Sequence, residues 1–251
     1  MVQATRPPAA EMGAGWPAQI PDAQWSIYRR VLDEMRSADV PVAFGGAFAL
    51  ATYTGDLRNT KDFDLYVLPG DRDAAVAAMT RAGLMDYYER APYDRSWIYR
   101  GMQDDTIVDA IWAMANLRTL VDRDWLSMGP EVELRDRRVR AIPPEELIWS
   151  KLYVLQRERS DWPDVLNLLD ALGNRLDWPR LLERVGPDRP LVAGVLSVFG
   201  WLAPARAAEI PAWVWDETGA RRGEPLRNAA LAQARADLLD SRPWFRGAIR
   251  E

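Results

Sequence analysis

A glycine pair followed by two alternating aspartates is the feature that most restricts the fold of this chain. Gly45 and Gly46 come directly after a short apolar run, and in the segment KDFDLYV Asp62 and Asp64 alternate with apolar residues. Residues two apart on a β-strand project from the same face. The pattern therefore predicts a strand, a glycine turn into a helix, and a second strand with two carboxylates on one face.

The glycines and the carboxylates suit a phosphate group and a hard metal ion. A glycine turn offers unhindered backbone N–H groups at the start of a helix, where phosphate binds favourably. Magnesium or manganese accepts oxygen ligands and bridges one or two carboxylates to substrate phosphates. Asp109 lies inside another apolar, strand-like segment, where an unpaired charge would be costly. We therefore expect a metal site made of Asp62, Asp64 and Asp109.

The chain contains no histidine and no cysteine. Disulfides, thiolate metal sites, histidine-ligated zinc and Ser-His-Asp triads are therefore excluded. Carboxylates, lysine, tyrosine and water remain as ligands and acid–base groups, which again favours Mg²⁺ or Mn²⁺. The formal net charge of −5 argues mildly against a protein whose whole surface binds nucleic acid, although a local basic groove is compatible with it.

Apolar periodicity predicts an α/β part and then an all-helical part, with a boundary near residue 142. The expected domains are a loose arm (1–21), an α/β core (22–142) and a helical domain (143–251). In the core we expect helices over 22–38, 47–54 and 73–84 and strands at 42–44, 62–67, 84–89, 96–102 and 105–112. We also expect a hairpin over 131–142 that turns near 136–137. Beyond it we expect helices over 144–158, 161–172, 177–186, 190–203 and 224–240, with a surface loop over 213–224.

The N-terminal arm has no long apolar core, so it does not read as a signal peptide. No apolar stretch is long enough to cross a membrane. A cytoplasmic protein is therefore expected.

The stretch GGAFALATYTGDLRNTKDFDL resembles the signature of the nucleotidyltransferase superfamily that contains DNA polymerase β. That signature is a Gly-Gly or Gly-Ser turn, a spacer, an Asp-x-Asp pair and a third acidic residue on a later strand. The Arg-x-Thr-x-Asp-x-Asp form is closest to the bacterial minimal and AbiEii-like nucleotidyltransferases, and here consists of Arg58, Thr60, Asp62 and Asp64. Aminoglycoside and lincosamide nucleotidyltransferases share this core.

A second segment, PEELIWSKLYVLQRERSDWPDVLNLLDAL, resembles the helical region that follows the core in this superfamily. Lys151 matches the lysine of that region, and the later polar positions are matched by Arg159, Asp161 and Asp164. The resemblance covers residues 40–172.

The resemblance implies an α+β fold, with a small mixed β-sheet core flanked by helices and followed by a helical C-terminal domain. It implies transfer of a nucleoside monophosphate from an NTP to an acceptor hydroxyl, with release of pyrophosphate. The acceptor is a small molecule such as an antibiotic, a tRNA or a protein. A further protein partner or a homo-oligomer is compatible with the sequence.

The resemblance also assigns roles to residues. Asp62 and Asp64 bind both metals, and Asp109 binds the catalytic metal and takes the proton of the hydroxyl. Gly45, Gly46 and Lys151 hold the triphosphate. The residues expected to contact the triphosphate, or to close the loop over it, are Arg58, Thr60 and Lys61.

Structural interpretations stay open beside these roles. The glycines alone fit a tight turn, and Asp62 and Asp64 fit the solvated face of an edge strand. Asp109 also fits the solvent-facing side of an amphipathic strand. Lys151 also fits an exposed helix lysine paired with Glu146 or Glu158, and Arg58 fits a structural arginine that binds loop carbonyls. At the level of function, the alternatives are a non-catalytic nucleotide-binding or antitoxin-like partner module with the same fold, and a toxin that modifies tRNA within a toxin–antitoxin pair.

Overall fold

The computed structural model describes residues 15–240, except residues 58, 59, 61, 117, 225 and 227. The chain divides between Pro143 and Pro144 into two compact units. The first unit holds a seven-stranded mixed sheet and the second is helical. The fold class is α+β, as the sequence predicts.

The first unit alternates helices with strands. Its elements are α1 (Asp22–Ser37), β1 (Ala43–Phe44), α2 (Gly46–Thr54), β2 (Asp62–Tyr66), α3 (Arg72–Arg81), β3 (Met85–Asp86), β4 (Ile98–Gln103), β5 (Thr106–Ile111), α4 (Arg123–Ser127), β6 (Glu131–Leu134) and β7 (Arg137–Ala141). The strand expected over 84–89 is shorter, because a 3₁₀ turn over Tyr87–Glu89 follows β3 and the Asp86 carboxylate accepts a hydrogen bond from the Tyr88 N–H. The sequence did not predict α4.

The sheet has the strand order β3-β4-β5-β2-β1-β7-β6. Strand β2 pairs with β5 in parallel, and β1 pairs with β7 in parallel, whereas the remaining pairs are antiparallel. Strands β2 and β5 therefore lie inside the sheet, with a neighbour on each side. The alternative in which Asp62 and Asp64 lie on an edge strand is therefore wrong.

Helices α1 and α2 pack their aromatic side chains against β2. The ring centroid of Phe63 lies 4.7 Å from that of Tyr28 and 5.4 Å from that of Phe48. All three side chains are buried. Because successive side chains of a strand point to opposite faces, Phe63 and Leu65 fill this core while Asp62 and Asp64 face the other way.

Both hairpins of the first unit turn on two residues. Asp104 and Asp105 join β4 to β5, with Gln103 paired to Thr106. Arg135 and Asp136 join β6 to β7, one residue earlier than the turn expected at 136–137. The first residue of each turn has a positive φ, 53° at Asp104 and 55° at Arg135.

The second unit is a set of helices around an apolar core. They are α5 (Pro144–Leu152), α6 (Trp162–Leu172), α7 (Trp178–Val185), α8 (Arg189–Leu202), α9 (Pro204–Ala207), α10 (Ala212–Thr218) and α11 (Ala229–Ala236). Large buried side chains such as Trp178, Leu181 and Phe199 supply the core. None of the helices in the described ranges combines the length and the apolarity that a membrane crossing needs.

Two helix boundaries and one predicted loop in the second unit differ from expectation. Helix α5 ends at Leu152 rather than at 158, because the chain folds back and the Trp162 indole N–H donates to the Leu152 carbonyl at 3.1 Å. Helix α11 occupies only part of the expected range 224–240. Residues 212–218 form a helix rather than a loop, because Val214 and Trp215 anchor one face of it in the core.

A buried charge cluster joins α5 to α7. The Glu146 side chain is fully buried and accepts hydrogen bonds from Arg180 and from the Arg184 Nε, the latter at 3.1 Å. The Arg184 guanidinium also lies 5.6 Å from the centroid of the Trp149 ring. The two arginines compensate a carboxylate that could not otherwise remain charged in the interior.

Candidate active site

The glycine turn lies directly against strand β2. The Gly45 N–H donates to the Asp64 carbonyl at 2.9 Å, and Gly46 begins α2 with φ of 54°. A Cβ atom at Gly45 would fall 2.2 Å from Cε2 of Tyr66, and one at Gly46 would fall 1.6 Å from Oδ2 of Asp64. Glycine is therefore required at both positions by close approach, and at Gly46 also by backbone conformation.

Strands β2 and β5 set the three candidate carboxylates on one face of the sheet. In the parallel register Asp64 pairs with Asp109, and Asp62 pairs with Ile107. Paired residues of neighbouring strands share a face, and the strands are about 4.8 Å apart. Asp62 and Asp64 are half-buried, whereas the Asp109 residue is 1% exposed. The alternative in which Asp109 faces solvent is wrong.

Asp109 is held by an arginine from the next strand. In the antiparallel pairing of β4 with β5, Arg100 lies opposite Asp109. Its Nε donates to Oδ1 at 2.9 Å and its Nη2 donates to Oδ2 at 2.7 Å, which is a bidentate ion pair. The guanidinium lies 5.7 Å from the centroid of the Tyr87 ring.

The electrostatics of this face follow from burial and from its three negative charges. Burial raises the pKa of Asp109, the Arg100 hydrogen bonds and charge oppose that rise, and the charge of Asp62 adds to it. Hydrogen bonding to Asp109 raises the pKa of the Arg100 guanidinium. Burial, followed by the charges of Asp62 and Asp64, also raises the pKa of the Tyr28 hydroxyl.

Sequence reasoning missed Arg100, although a local signal for it exists. A two-residue turn at 104–105 pairs Gln103 with Thr106. Counting outward from that pair brings Arg100 opposite Asp109, because residues in an antiparallel hairpin pair at a constant sum of positions. The buried aspartate needs a partner, and the hairpin supplies one.

The residues present fit a divalent ion at Asp62 and Asp64. Two carboxylates two residues apart on one strand face, half-exposed to solvent, are suitable oxygen ligands for Mg²⁺ or Mn²⁺. In the part of the chain that the structure describes, no group of three or more acidic side chains is arranged to hold a metal ion. Asp109 shares the face with the aspartate pair, but both of its oxygens are engaged by Arg100.

The loop before β2 contributes Thr60 to the strand end. The Thr60 hydroxyl donates to the Asp62 carbonyl at 3.2 Å and accepts from the Asp62 N–H at 3.2 Å. Thr60 therefore fixes the backbone where the carboxylate pair begins. Arg58 and Lys61 lie outside the described residues.

Lys151 belongs to the second unit, where it is 4% exposed. Its Nζ donates to Oδ2 of Asp161 at 3.0 Å and to Oδ2 of Asp164 at 2.6 Å. The alternative of an exposed lysine paired with Glu146 or Glu158 is therefore wrong. Of the residues assigned to the triphosphate, Gly45 and Gly46 lie beside the carboxylate pair in the first unit, and Lys151 is held in this buried network.

The remaining residue matched in that helical region joins the same network. The Arg159 guanidinium donates to both oxygens of Asp161, at 2.9 and 3.0 Å. Burial acts to raise the pKa of Asp161, but the hydrogen bonds and charges of Arg159 and Lys151 outweigh it and hold the pKa at about 2. Asp161 precedes α6 but makes no side-chain capping bond, whereas Asp177 caps α7 by accepting from the Arg180 N–H.

No protein-family model and no curated protein matches the chain. A search of solved structures finds the antibiotic-resistance factor ANT(2'')-Ia, with 18% identity, a TM-score of 0.42, and coverage of 69% of this chain and 89% of that one. It also finds JHP933 from Helicobacter pylori, with 14% identity, a TM-score of 0.38, and coverage of 95% and 99%. A proposed nucleotidyltransferase from Helicobacter pylori shows 15% identity, a TM-score of 0.37, and coverage of 88% and 94%.

With identities of 18% or lower and TM-scores of 0.42 or lower, these likenesses support no conclusion about substrate or catalysis.

Proposed function

We propose that the chain is a metal-dependent nucleotidyltransferase that moves a nucleoside monophosphate from an NTP to an acceptor hydroxyl. The observation that carries the proposal is the packing of the Asp64 carboxylate against Gly46, at the first residue of α2. A helix start that favours phosphate and a carboxylate pair that favours a divalent ion thus adjoin each other. A metal–triphosphate complex needs both in one place.

Different residues of the site are proposed to bind the metal and the triphosphate. Asp62 and Asp64, with Asp109 as the proposed third ligand, would hold Mg²⁺ or Mn²⁺, which when bound neutralises the charge that develops on the phosphates. The backbone N–H groups after Gly45 and Gly46 bind the triphosphate. Arg58 and Lys151 remain proposed triphosphate contacts, and Thr60 acts by fixing the start of β2.

Asp109 is the proposed base. The oxygen of the acceptor hydroxyl attacks the α-phosphorus, the bond from that phosphorus to the bridging oxygen breaks, and pyrophosphate leaves. The hydroxyl proton passes to the Asp109 carboxylate. Burial raises the pKa of Asp109 above that of an ordinary aspartate, which makes it a stronger base for this step.

One observation favours the second candidate, a nucleotide-binding module without turnover. Arg100 occupies both oxygens of Asp109, so in this arrangement the carboxylate has no oxygen without a hydrogen bond to a cation. A protein that only binds nucleotide needs the Gly45–Gly46 turn and a metal, but it has no use for a base.

A transfer assay separates the two candidates. The full chain is incubated with each of the four NTPs labelled at the α-phosphate, with Mg²⁺ or Mn²⁺, and with aminoglycosides, tRNA or a protein extract as acceptors. The reference is the Asp62→Asn/Asp64→Asn variant, and the matched control is Asp73→Asn, whose carboxylate is 90% exposed. We expect wild type and Asp73→Asn to transfer label and release pyrophosphate, and the double variant to do neither.

The same assay can contradict the proposal. If wild type transfers no more label than the double variant to any acceptor, the transferase loses its support. NTP binding measured calorimetrically in that case would favour the binding module.

A further inference from the structure

Three charged side chains lie side by side at one level of the sheet. Asp64 on β2 pairs with Asp109 on β5, and Asp109 pairs with Arg100 on β4. Asp109 is therefore the middle member of the row, with a carboxylate on one side and a guanidinium on the other. In the structure both Asp109 oxygens bind the guanidinium.

The buried carboxylate of the row has a counter-charge even without a metal. Asp62, Asp64 and Asp109 bring three negative charges to one face, and Arg100 brings one positive charge into direct contact with the most buried of them. The Arg100 side chain itself is 31% exposed, so its guanidinium can leave the pair for solvent more easily than Asp109 can. In its charged form, a buried carboxylate of this kind needs a cation beside it.

We propose that Arg100 is a counter-ion that holds Asp109 in the metal-free protein and has to release it when a divalent ion binds at Asp62 and Asp64. The inference rests on the proposed function. A guanidinium and a divalent ion repel each other and compete for one carboxylate, so each weakens the binding of the other to Asp109. By linkage, the Arg100–Asp109 pair lowers the affinity of the protein for the metal.

The test measures Mn²⁺ binding to the full chain without nucleotide, from the electron paramagnetic resonance signal of free Mn²⁺. Arg100→Gln is expected to bind Mn²⁺ about tenfold more tightly than wild type, within the range of ordinary coupling between sites. Arg100→Lys is expected to lie between the two, because lysine keeps the charge but cannot make two parallel hydrogen bonds.

Two further variants make the comparison specific. Arg137→Gln removes another bidentate pair, in which Arg137 donates to both oxygens of Asp33 at 2.9 and 3.1 Å, and is expected to bind Mn²⁺ as wild type does. Arg100→Gln/Asp109→Asn removes both members of the proposed pair and is expected to bind Mn²⁺ no more tightly than wild type. Circular dichroism and melting temperatures without metal establish that each variant is folded.

Equal or weaker Mn²⁺ binding by folded Arg100→Gln overturns the inference and leaves the proposed function intact. If Arg100→Gln does not fold, Arg100→Lys decides: tighter binding than wild type supports the inference, and unchanged binding overturns it. No Mn²⁺ binding by any of the proteins overturns both proposals. Tighter binding by Arg100→Gln in a chain that transfers no label supports the inference and overturns the transferase.

Discussion

The Asp64 carboxylate lies so close to Gly46 that a methyl group on that glycine would fall 1.6 Å from Oδ2. The glycine turn and the aspartate pair are therefore one structural unit, although 18 positions separate these two residues in the sequence (64 minus 46). A substitution at either residue should therefore displace the other.

Gly46→Ala is expected to disturb both stability and transfer. Alanine at φ of 54° is strained, and its methyl group would push the carboxylate away. We expect a loss of roughly 2–4 kcal/mol in the free energy of unfolding, and a fall in transfer of about 100-fold or more. Denaturant titration and the transfer assay measure the two effects.

Gly219→Ala is the matched control for that change. Gly219 also has a positive φ, 68°, in the left-handed region, and a Cβ there would meet nothing within 4 Å. It should cost only about 1–2 kcal/mol of strain and leave transfer unchanged. If the two variants behave alike, the contact with Asp64 has no effect of its own.

Asp64→Asn is expected to reduce transfer by at least about 100-fold, the scale seen when one charge-stabilising group is removed from an active site. Asparagine keeps the shape of the half-buried side chain, so the free energy of unfolding should change by less than about 1 kcal/mol. Transfer rates at saturating Mn²⁺ and denaturant titrations check both points. Activity close to that of wild type would exclude Asp64 from the metal site.

Asp161 should make the second unit sensitive to acid. Its pKa is about 2 in the folded protein and about 3.9 in an unfolded chain, so its stabilising effect is present above pH 4 and is lost as the pH falls from 4 to 2. The effect corresponds to roughly 2–3 kcal/mol. We expect the difference in unfolding free energy between wild type and Asp161→Asn to shrink across that window.

Chemical denaturation between pH 2 and pH 5 measures this difference. Arg159→Gln removes one of the two partners that lower the pKa and should lose part of the same pH dependence. A difference that stays constant over the whole range would contradict the assignment.

Glu146→Gln is expected to destabilise the second unit strongly. The change leaves Arg180 and Arg184 without the buried carboxylate that compensates them, which typically costs about 3–5 kcal/mol. Glu217→Gln also breaks a pair with an arginine, Arg189, but both side chains are about half exposed and the effect should be small. Melting temperatures of the two variants compare them, and similar losses would show that burial does not matter here.

The sequence predicts most of the local structure and half of the site. Apolar alternation identifies β2 and β5, and the glycine turn before α2 is evident from the local sequence. The pairing of Asp64 with Asp109 is different, because it depends on a parallel register between segments that are distant in sequence, and no local pattern specifies that register. From the residues alone, Asp109 could be singled out only because an unpaired charge inside an apolar strand is costly.

In the second unit, too, the local sequence pattern does not specify which distant residues pair. Helical periodicity continues past Leu152, and nothing in it indicates that the chain folds back there. The reversal brings Asp161 and Asp164 to the Lys151 ammonium, and tertiary ion pairs of this kind override local preference. The resemblance to a family selected these residues, but it did not reveal that they bind one another.

The turn at Asp104 and Asp105 has a consequence for how the chain tolerates changes in length. Exposed turns ordinarily accept insertions and deletions freely. Here one residue more or fewer between Gln103 and Thr106 would slip β4 against β5 by one position and carry Arg100 to the opposite side of the sheet. This two-residue surface turn thereby determines whether the buried Asp109 has a counter-charge. The length of the turn is therefore as constrained as the identity of the aspartates in the site.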